Sequence, residues 1–180
     1  NINNSEDIQF TQTTFATPHS VTPDLFKIKN SNNLTFSNNN FYGSSNQIKS
    51  EGQLSGLNIN NNRFYDFGTT ALSLSEVNAL QINNNVFSTD TSKIVLRAVK
   101  LSQISGSLNV MSNRIFLHKG TADRIGIELT NSSFTQNTSA KIANNAISLV
   151  GPNVSTNFES FGISLNNISH VDVFYNTVYM

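Results

Sequence analysis

A phrase of eight residues recurs along this chain, and its clearest copy is Leu57-Asn58-Ile59-Asn60-Asn61-Asn62-Arg63-Phe64. In each copy an apolar residue is followed by a second one two positions later, by a polar residue five positions later and by another apolar residue seven positions later. The last two positions of the seven copies are Thr13 and Phe15, Asn39 and Phe41, Asn62 and Phe64, Asn85 and Phe87, Asn113 and Ile115, Asn145 and Ile147, and Asn176 and Val178.

The spacing of these copies predicts a solenoid. Asn39, Asn62 and Asn85 follow one another at 23 residues, and the interval lengthens on either side of that run. A fixed period of roughly 20–50 residues is typical of repeat architectures. With 29 Asn among its 180 residues, the chain has the composition of a low-complexity tract. A disordered tract, however, has no reason to keep its apolar residues in phase over seven copies.

Each repeat contains three short segments with strand character. The phrase itself opens on an alternating apolar pair, which has the period of two that is typical of strands. A second alternating pair usually precedes it by eight or nine residues, and a third segment follows the Asn. The second pairs are Phe26 and Ile28, Leu72 and Leu74, Val99 and Leu101, Ile127 and Leu129, and Ile163 and Leu165. Three strands per repeat predict coils that stack into three parallel sheets.

These repeats resemble the right-handed parallel β-helix of the pectin-lyase-like superfamily, and the resemblance covers essentially the whole chain. The left-handed alternative uses hexapeptides and about 18 residues per coil, which does not match the period here. We therefore expect an all-β fold: a right-handed single-stranded parallel β-helix of about seven coils. The chain is expected to form one domain over residues 1–180. Because neither end shows a polar cap, it is also expected to be a section of a longer array, or to associate edge to edge with another copy.

The recurring Asn and the aromatic residue after it are expected to serve the scaffold. Asn tolerates the left-handed backbone of a sharp turn, and stacked amides can bond from coil to coil. This predicts a structural ladder at one turn, made by Asn39, Asn62, Asn85, Asn113, Asn145 and Asn176. The Phe residues share their column with Ile and Val, which favours a buried stack over an exposed platform for sugars.

Composition excludes several classes of protein. Acidic and basic residues are equal in number and only 12% of residues are charged. That balance argues against nucleic-acid binding, which needs a basic surface. No apolar run is long enough to span a membrane. Without Cys the chain has neither disulfides nor thiolate metal sites, and we expect no cofactor and no bound metal.

The motifs of known β-helix enzymes are missing. Polygalacturonase-like hydrolases carry clustered Asp residues with Gly-His-Gly and Arg-x-Lys, and pectate-lyase-like enzymes gather several acids around Ca²⁺. Here the acids are scattered. The charged loops after the Asn strands should cluster on one side of the solenoid. Within them, the candidates for catalysis are Lys93, Arg97 and His118, and the candidates for ligand binding are Asp90, Lys119, Asp123 and Arg124.

Two functions remain open. The first is a non-catalytic β-helix module of a secreted or cell-surface protein, with a structural, adhesive or carbohydrate-binding role, similar to the β-helix segments of large bacterial surface proteins. Its expected partner is a polysaccharide or a cell-surface glycan. The second is a polysaccharide lyase or glycoside hydrolase that acts on acidic polysaccharide through the loops. Fold alone does not choose between them.

Overall fold

The computed structural model describes residues 1–17, 24–89, 95–118, 123–150 and 159–180. Lys93, Asp90 and Lys119 lie outside these ranges. The described residues form β-strands joined by turns and short loops, with no helix among them. The predicted all-β class is therefore confirmed.

The strands come in seven successive coils of three. The first three coils contain β1 (Ile2–Asn3), β2 (Gln9–Thr11) and β3 (Thr14–Ala16); β4 (Asp24–Lys29), β5 (Ser31–Ser37) and β6 (Asn40–Tyr42); and β7 (Asn46–Ser50), β8 (Leu54–Asn60) and β9 (Arg63–Tyr65). The fourth and fifth contain β10 (Thr70–Ser75), β11 (Val77–Asn83) and β12 (Val86–Thr89); and β13 (Val95–Ser102), β14 (Ser105–Met111) and β15 (Arg114–Leu117). The last two contain β16 (Asp123–Ser133), β17 (Ala140–Ala143) and β18 (Ala146–Ser148); and β19 (Ser160–Ser169), β20 (Asp172–Phe174) and β21 (Thr177–Tyr179).

Equivalent strands of successive coils pair in parallel and build three sheets of seven strands each. Sheet A contains the first strand of each coil, sheet B the second and sheet C the third. From the first strand of a sheet to the last, the chain makes about six complete turns. The prediction of a parallel β-solenoid with three sheets is thus confirmed. The right-handed sense of the coil stays a prediction, based on the strong preference of parallel β crossovers for that hand.

The inward positions of all three sheets form one continuous core. In sheet C, Phe41, Phe64 and Phe87 are fully buried, and the rings of Phe41 and Phe64 stack with centroids 4.7 Å apart. Phe64 and Phe87 stack in the same way at 4.9 Å. Ile115 and Ile147 continue this column and are also buried. The column is therefore core, as its mixture of aromatic and branched residues predicted.

The six recurring Asn residues hydrogen-bond from coil to coil at the turn between sheets B and C. The side-chain amide of Asn39 donates to the Oδ1 atom of Asn62 at 3.1 Å, and Asn62 donates in the same way to Asn85. Equivalent bonds of 2.9–3.1 Å join Asn85 to Asn113, Asn113 to Asn145 and Asn145 to Asn176. All but Asn176 are buried.

The left-handed backbone of this turn, however, lies one residue earlier than predicted. Positive φ angles occur at Asn38, Asn61 and Asn84, at 57–58°. They do not occur at the buried Asn residues that follow. The same position has a positive φ in other coils, at Gln12, Ser112, Asn144 and Tyr175. The exposed residue thus makes the bend, and the buried Asn next to it supplies hydrogen bonds.

The last coil leaves its apolar side chains open to solvent. Leu165, Val173 and Val178 occupy inward columns, yet each is 43% exposed because no strand pairs beyond them. In the first coil, Phe10 and Phe15 are only partly buried for the same reason. Each coil of a solenoid therefore depends on its neighbours to exclude water.

Candidate functional site

The outer face of sheet A carries several of the charged side chains that the structure describes. In each coil the residue between the two apolar residues of the second pair points outward. Cross-strand register places Lys27, Lys49, Ser73, Lys100, Glu128 and Ser164 in one row. A second outward row runs beside it through Ser75, Ser102, Thr130 and Asn166. We call the surface formed by these two rows the sheet A face.

A groove crosses the sheet A face. Its volume is about 420 Å³, and hydroxyl and amide groups line most of it. The lining groups include Ser73, Ser75, Ser102, Thr130, Asn131 and Asn166, together with the charged groups Lys49, Lys100 and Glu128. A second polar groove, also of about 420 Å³, lies at the corner toward sheet B and includes Gln53, Ser55, Glu76, Asn78, Gln103 and Ser105.

Four charged side chains form a closed network at one end of the sheet A face. Lys49 Nζ lies 3.0 Å from Glu51 Oε1 and 3.8 Å from Asp24 Oδ2. Lys27 Nζ contacts the same two carboxylates, at 3.3 and 3.6 Å. Asp24 also accepts a hydrogen bond from the Asn46 amide at 2.6 Å. Two cations and two anions therefore neutralise one another here.

This network shifts the pKa values of two of its members, Glu51 and Lys49. The hydrogen bond from Lys49, followed by that from Lys27, lowers the pKa of Glu51 below its usual value of 4.5. The same hydrogen bond to Glu51 raises the pKa of Lys49 above 10.5, although partial burial acts in the opposite direction. Both shifts favour the charged forms. Glu51 and Lys49 are thus both charged near neutral pH.

A separate ion pair occupies the middle of the sheet A face. Arg97 Nε lies 2.5 Å from Glu128 Oε2, and both side chains are mostly buried. Lys100 is the cross-strand neighbour of Glu128, but no ion pair within 4.0 Å joins Lys100 to any described residue. Lys100 is therefore a cation in the groove that an anionic or hydroxyl-rich ligand can contact without breaking an existing pair.

The predicted site residues that the structure describes do not converge on one point. Arg97 is tied to Glu128, while His118 directly follows β15 of sheet C, and its Nε2 atom lies 3.1 Å from the Ser148 hydroxyl. Asp123 accepts a hydrogen bond from the backbone of Glu159 at 3.0 Å. These contacts leave the catalytic and ligand-binding roles of the three residues as predictions.

Arg124 is buried within the solenoid. Only 8% of it is exposed, and its Nη1 atom donates to the Leu149 carbonyl at 3.1 Å. This bond joins the first strand of the sixth coil to the residue that follows the last strand of the same coil. Its predicted role in ligand binding has no support from these contacts.

Sequence reasoning predicted the strands of sheet A but overlooked its outer face. The catalytic and ligand-binding candidates were predicted in the irregular loops, whereas the charged rows lie within the regular strands. A signal was present: Lys27 and Lys100 each stand between two apolar residues, as does Glu128. In a strand the residue between two inward side chains points outward. Charges at that position in several repeats must therefore form a row.

The described residues contain no group of three or more His, Asp or Glu side chains that could hold a metal ion. They also include no helix long and apolar enough to cross a membrane. The fold and the sheet A face together define a parallel β-solenoid with one charged, hydroxyl-rich side. No known protein family matches the chain, and neither a curated protein nor a solved structure matches it.

Proposed function

We propose that this chain is a non-catalytic, carbohydrate-binding β-helix module of a secreted or cell-surface protein, of the pectin-lyase-like type. The observation that supports the proposal is the groove on the sheet A face, in which hydroxyls, amides and the ammonium of Lys100 line one open surface. Solenoids offer extended surfaces of this kind to long ligands. A hydroxyl-rich polymer can exchange hydrogen bonds along successive coils.

The charges on this face favour binding over catalysis. A general acid or base needs a titratable group that is free to exchange a proton with the substrate. Glu51 and Glu128 are instead each held by cations, at 3.0 and 2.5 Å. Such ion pairs hold the two carboxylates in place, and the one with Lys49 also lowers the pKa of Glu51. Lys100 then supplies the attraction for carboxylated sugars, which makes an acidic polysaccharide the preferred partner.

A glycan array, followed by calorimetric titration with oligogalacturonate, tests the proposal. Lys100→Ala should weaken binding about tenfold, because it removes a charge-assisted contact. The matched control is Lys141→Ala, which changes a lysine on sheet B and should leave the affinity unchanged. Absence of glycan binding, or equal affinity in the Lys100 variant, would overturn the proposal.

Polysaccharide cleavage is the competing outcome of the same experiment. Uronic-acid polymers incubated with the protein should remain intact under the binding proposal. Turnover that disappears in Lys93→Ala or Arg97→Ala would instead identify a lyase. For Arg97, the control is Glu128→Gln: it frees the guanidinium from its ion pair without removing it, so an Arg97-dependent lyase should retain activity in that variant.

A further inference from the structure

The outer face of sheet C carries an aromatic row that is interrupted once. Register places Tyr42, Tyr65, Ser88, Phe116 and Ser148 in this row on successive strands. The rings of Tyr42 and Tyr65 stack with centroids 5.1 Å apart and planes 25° from parallel. On the next strand Ser88 replaces the ring, and on the strand after that Phe116 restores it. We call the gap above Ser88 the ring slot.

The ring slot has room for one ring. Adjacent strands of a sheet lie about 4.8 Å apart, so Tyr65 and Phe116 are separated by about 10 Å along the solenoid axis. Stacked rings on neighbouring strands of this protein have centroids 4.7–5.3 Å apart. One ring inserted above Ser88 would therefore contact Tyr65 on one face and Phe116 on the other. Tyr42 already covers the far face of Tyr65, which holds that ring in place.

A second outward row places cations on both sides of the slot. Its members on the same three strands are Arg63, Val86 and Arg114. Both arginines are exposed, and neither forms an ion pair with any described residue. The strands β9, β12 and β15 contain no acidic residue, although Asp66 directly follows β9 and Asp90 directly follows β12 in sequence. The two guanidinium groups thus place positive charge beside the slot, whereas the chain as a whole has no net charge.

We propose that the ring slot binds a sugar ring that carries a carboxylate. The aromatic rings match the apolar faces of a pyranose, and Val86 contributes to the floor. The guanidinium groups match a carboxylate, which Arg binds through two parallel hydrogen bonds. The Ser88 hydroxyl and the Tyr65 phenol suit ring hydroxyls. A flat aromatic acid would leave these polar groups without partners, which favours the sugar. The site is separate from the sheet A face and shares with it only the class of ligand.

The most direct test of this proposal is a substitution that fills the ring slot with an aromatic side chain. In Ser88→Tyr the new ring should continue the stack between Tyr65 and Phe116, as Tyr42 and Tyr65 already do on neighbouring strands. The probe is glucuronic acid, followed by saturation-transfer and titration NMR. The wild-type protein should bind it, and Ser88→Tyr should lower the affinity at least about tenfold while the protein remains folded. The control Ser73→Tyr adds the same ring on sheet A and should leave glucuronic acid binding at the slot unchanged.

The charge requirement has its own variants. Arg63→Gln and Arg114→Gln should each weaken glucuronic acid binding about tenfold, and Arg→Lys should restore only part of it because an ammonium lacks the bidentate geometry. Glucose should bind more weakly than glucuronic acid. The proposal is overturned if glucose binds equally well, if benzoate binds in preference, or if the wild-type protein binds none of the three.

Should Ser88→Tyr fail to fold, the double variant Tyr65→Ala with Phe116→Ala removes both ring faces and must also abolish binding. Comparison with Lys100→Ala separates this proposal from the previous one. Glucuronic acid binding that stays unchanged in the slot variants rejects the slot, whatever Lys100→Ala does to oligogalacturonate binding. Loss of glucuronic acid binding in the slot variants alone supports the slot and leaves the function of the sheet A face to its own test.

Discussion

Replacing Asn62 by Ala should destabilise the solenoid by about 2–4 kcal/mol. The Oδ1 atom of Asn62 accepts from the backbone amide of Asn39 at 2.9 Å and from its side-chain amide at 3.1 Å. The Nδ2 atom of Asn62 donates to the Phe36 carbonyl at 2.8 Å and to Asn85 Oδ1 at 3.1 Å. Alanine removes all four bonds from a buried site.

The size of this destabilisation depends on which of the affected polar groups keep another hydrogen-bond partner. The side-chain amide of Asn39 still donates to the Phe10 carbonyl, and Asn85 Oδ1 still accepts from the backbone of Asn62. The backbone amide of Asn39 loses its acceptor inside the protein, which costs about 1–3 kcal/mol. Two of the other three lost bonds involve these groups that keep a partner; the third, to the Phe36 carbonyl, adds about 1 kcal/mol, the typical net contribution of one hydrogen bond.

Urea denaturation measures the free energy of unfolding, and amide exchange at Asn39 reports the local effect. The Asn39 amide should exchange faster in Asn62→Ala by more than global destabilisation explains. The control is Asn58→Ala, which alters an outward Asn of the same phrase and should change stability by no more than about 0.5 kcal/mol.

Two glycine substitutions test whether Asn61 makes the bend while Asn62 supplies the hydrogen bonds. Asn61 has a φ of 57°, so Asn61→Gly should be tolerated because glycine adopts that conformation without strain. Asn62→Gly should be as damaging as Asn62→Ala, since it loses the same hydrogen bonds. If Asn62→Gly were tolerated and Asn61→Gly were not, the hydrogen-bonding role assigned to Asn62 would be refuted.

Two other predictions concern the core and the charged network. Phe64→Ala should cost about 3–5 kcal/mol in urea denaturation, because the ring is fully buried between two stacked rings; Phe15→Ala, at the partly buried edge, should cost less, and equal losses would contradict this account. Because the pKa of Glu51 is lowered, its contribution to stability is present above pH 4.5 and is lost as the pH falls through the folded pKa. Lys49→Met should move the Glu51 pKa upward in an NMR titration, and an unchanged pKa would show that Lys49 does not cause the shift.

At the repeated turn, the sequence predicted the architecture but not which of two adjacent residues has the left-handed backbone. The interval between Asn39 and Asn62 correctly indicated a solenoid, because stacked coils of equal length bring equivalent residues into contact. The same pattern assigned the left-handed backbone to the wrong residue. Asn61 and Asn62 are both Asn, and both roles suit that residue. Only the backbone angles distinguish the exposed bend from the buried hydrogen-bonding position.

For the candidate sites, the sequence predicted less than it did for the fold. The candidate residues were predicted in the irregular loops, yet Lys100 and Arg63 lie within regular strands. Asp123, predicted to lie in a loop, is instead the first residue of β16, and it bonds to the backbone of Glu159 rather than to another candidate residue. The sequence could have revealed the outward rows, because alternation fixes which residues face solvent. It could not have shown which charges are already neutralised, since that depends on side-chain positions.

Sequence by itself determined the strand period, the three-sheet solenoid and the inward columns, because alternation and a constant repeat length leave parallel stacking as the way to bury the apolar residues. The tertiary structure decided which side chains from different coils meet. Lys49 pairs with Asp24 across one coil, and Ser88 opens a gap between Tyr65 and Phe116. Such neighbours are set by cross-strand register, and register depends on turns whose lengths change from coil to coil.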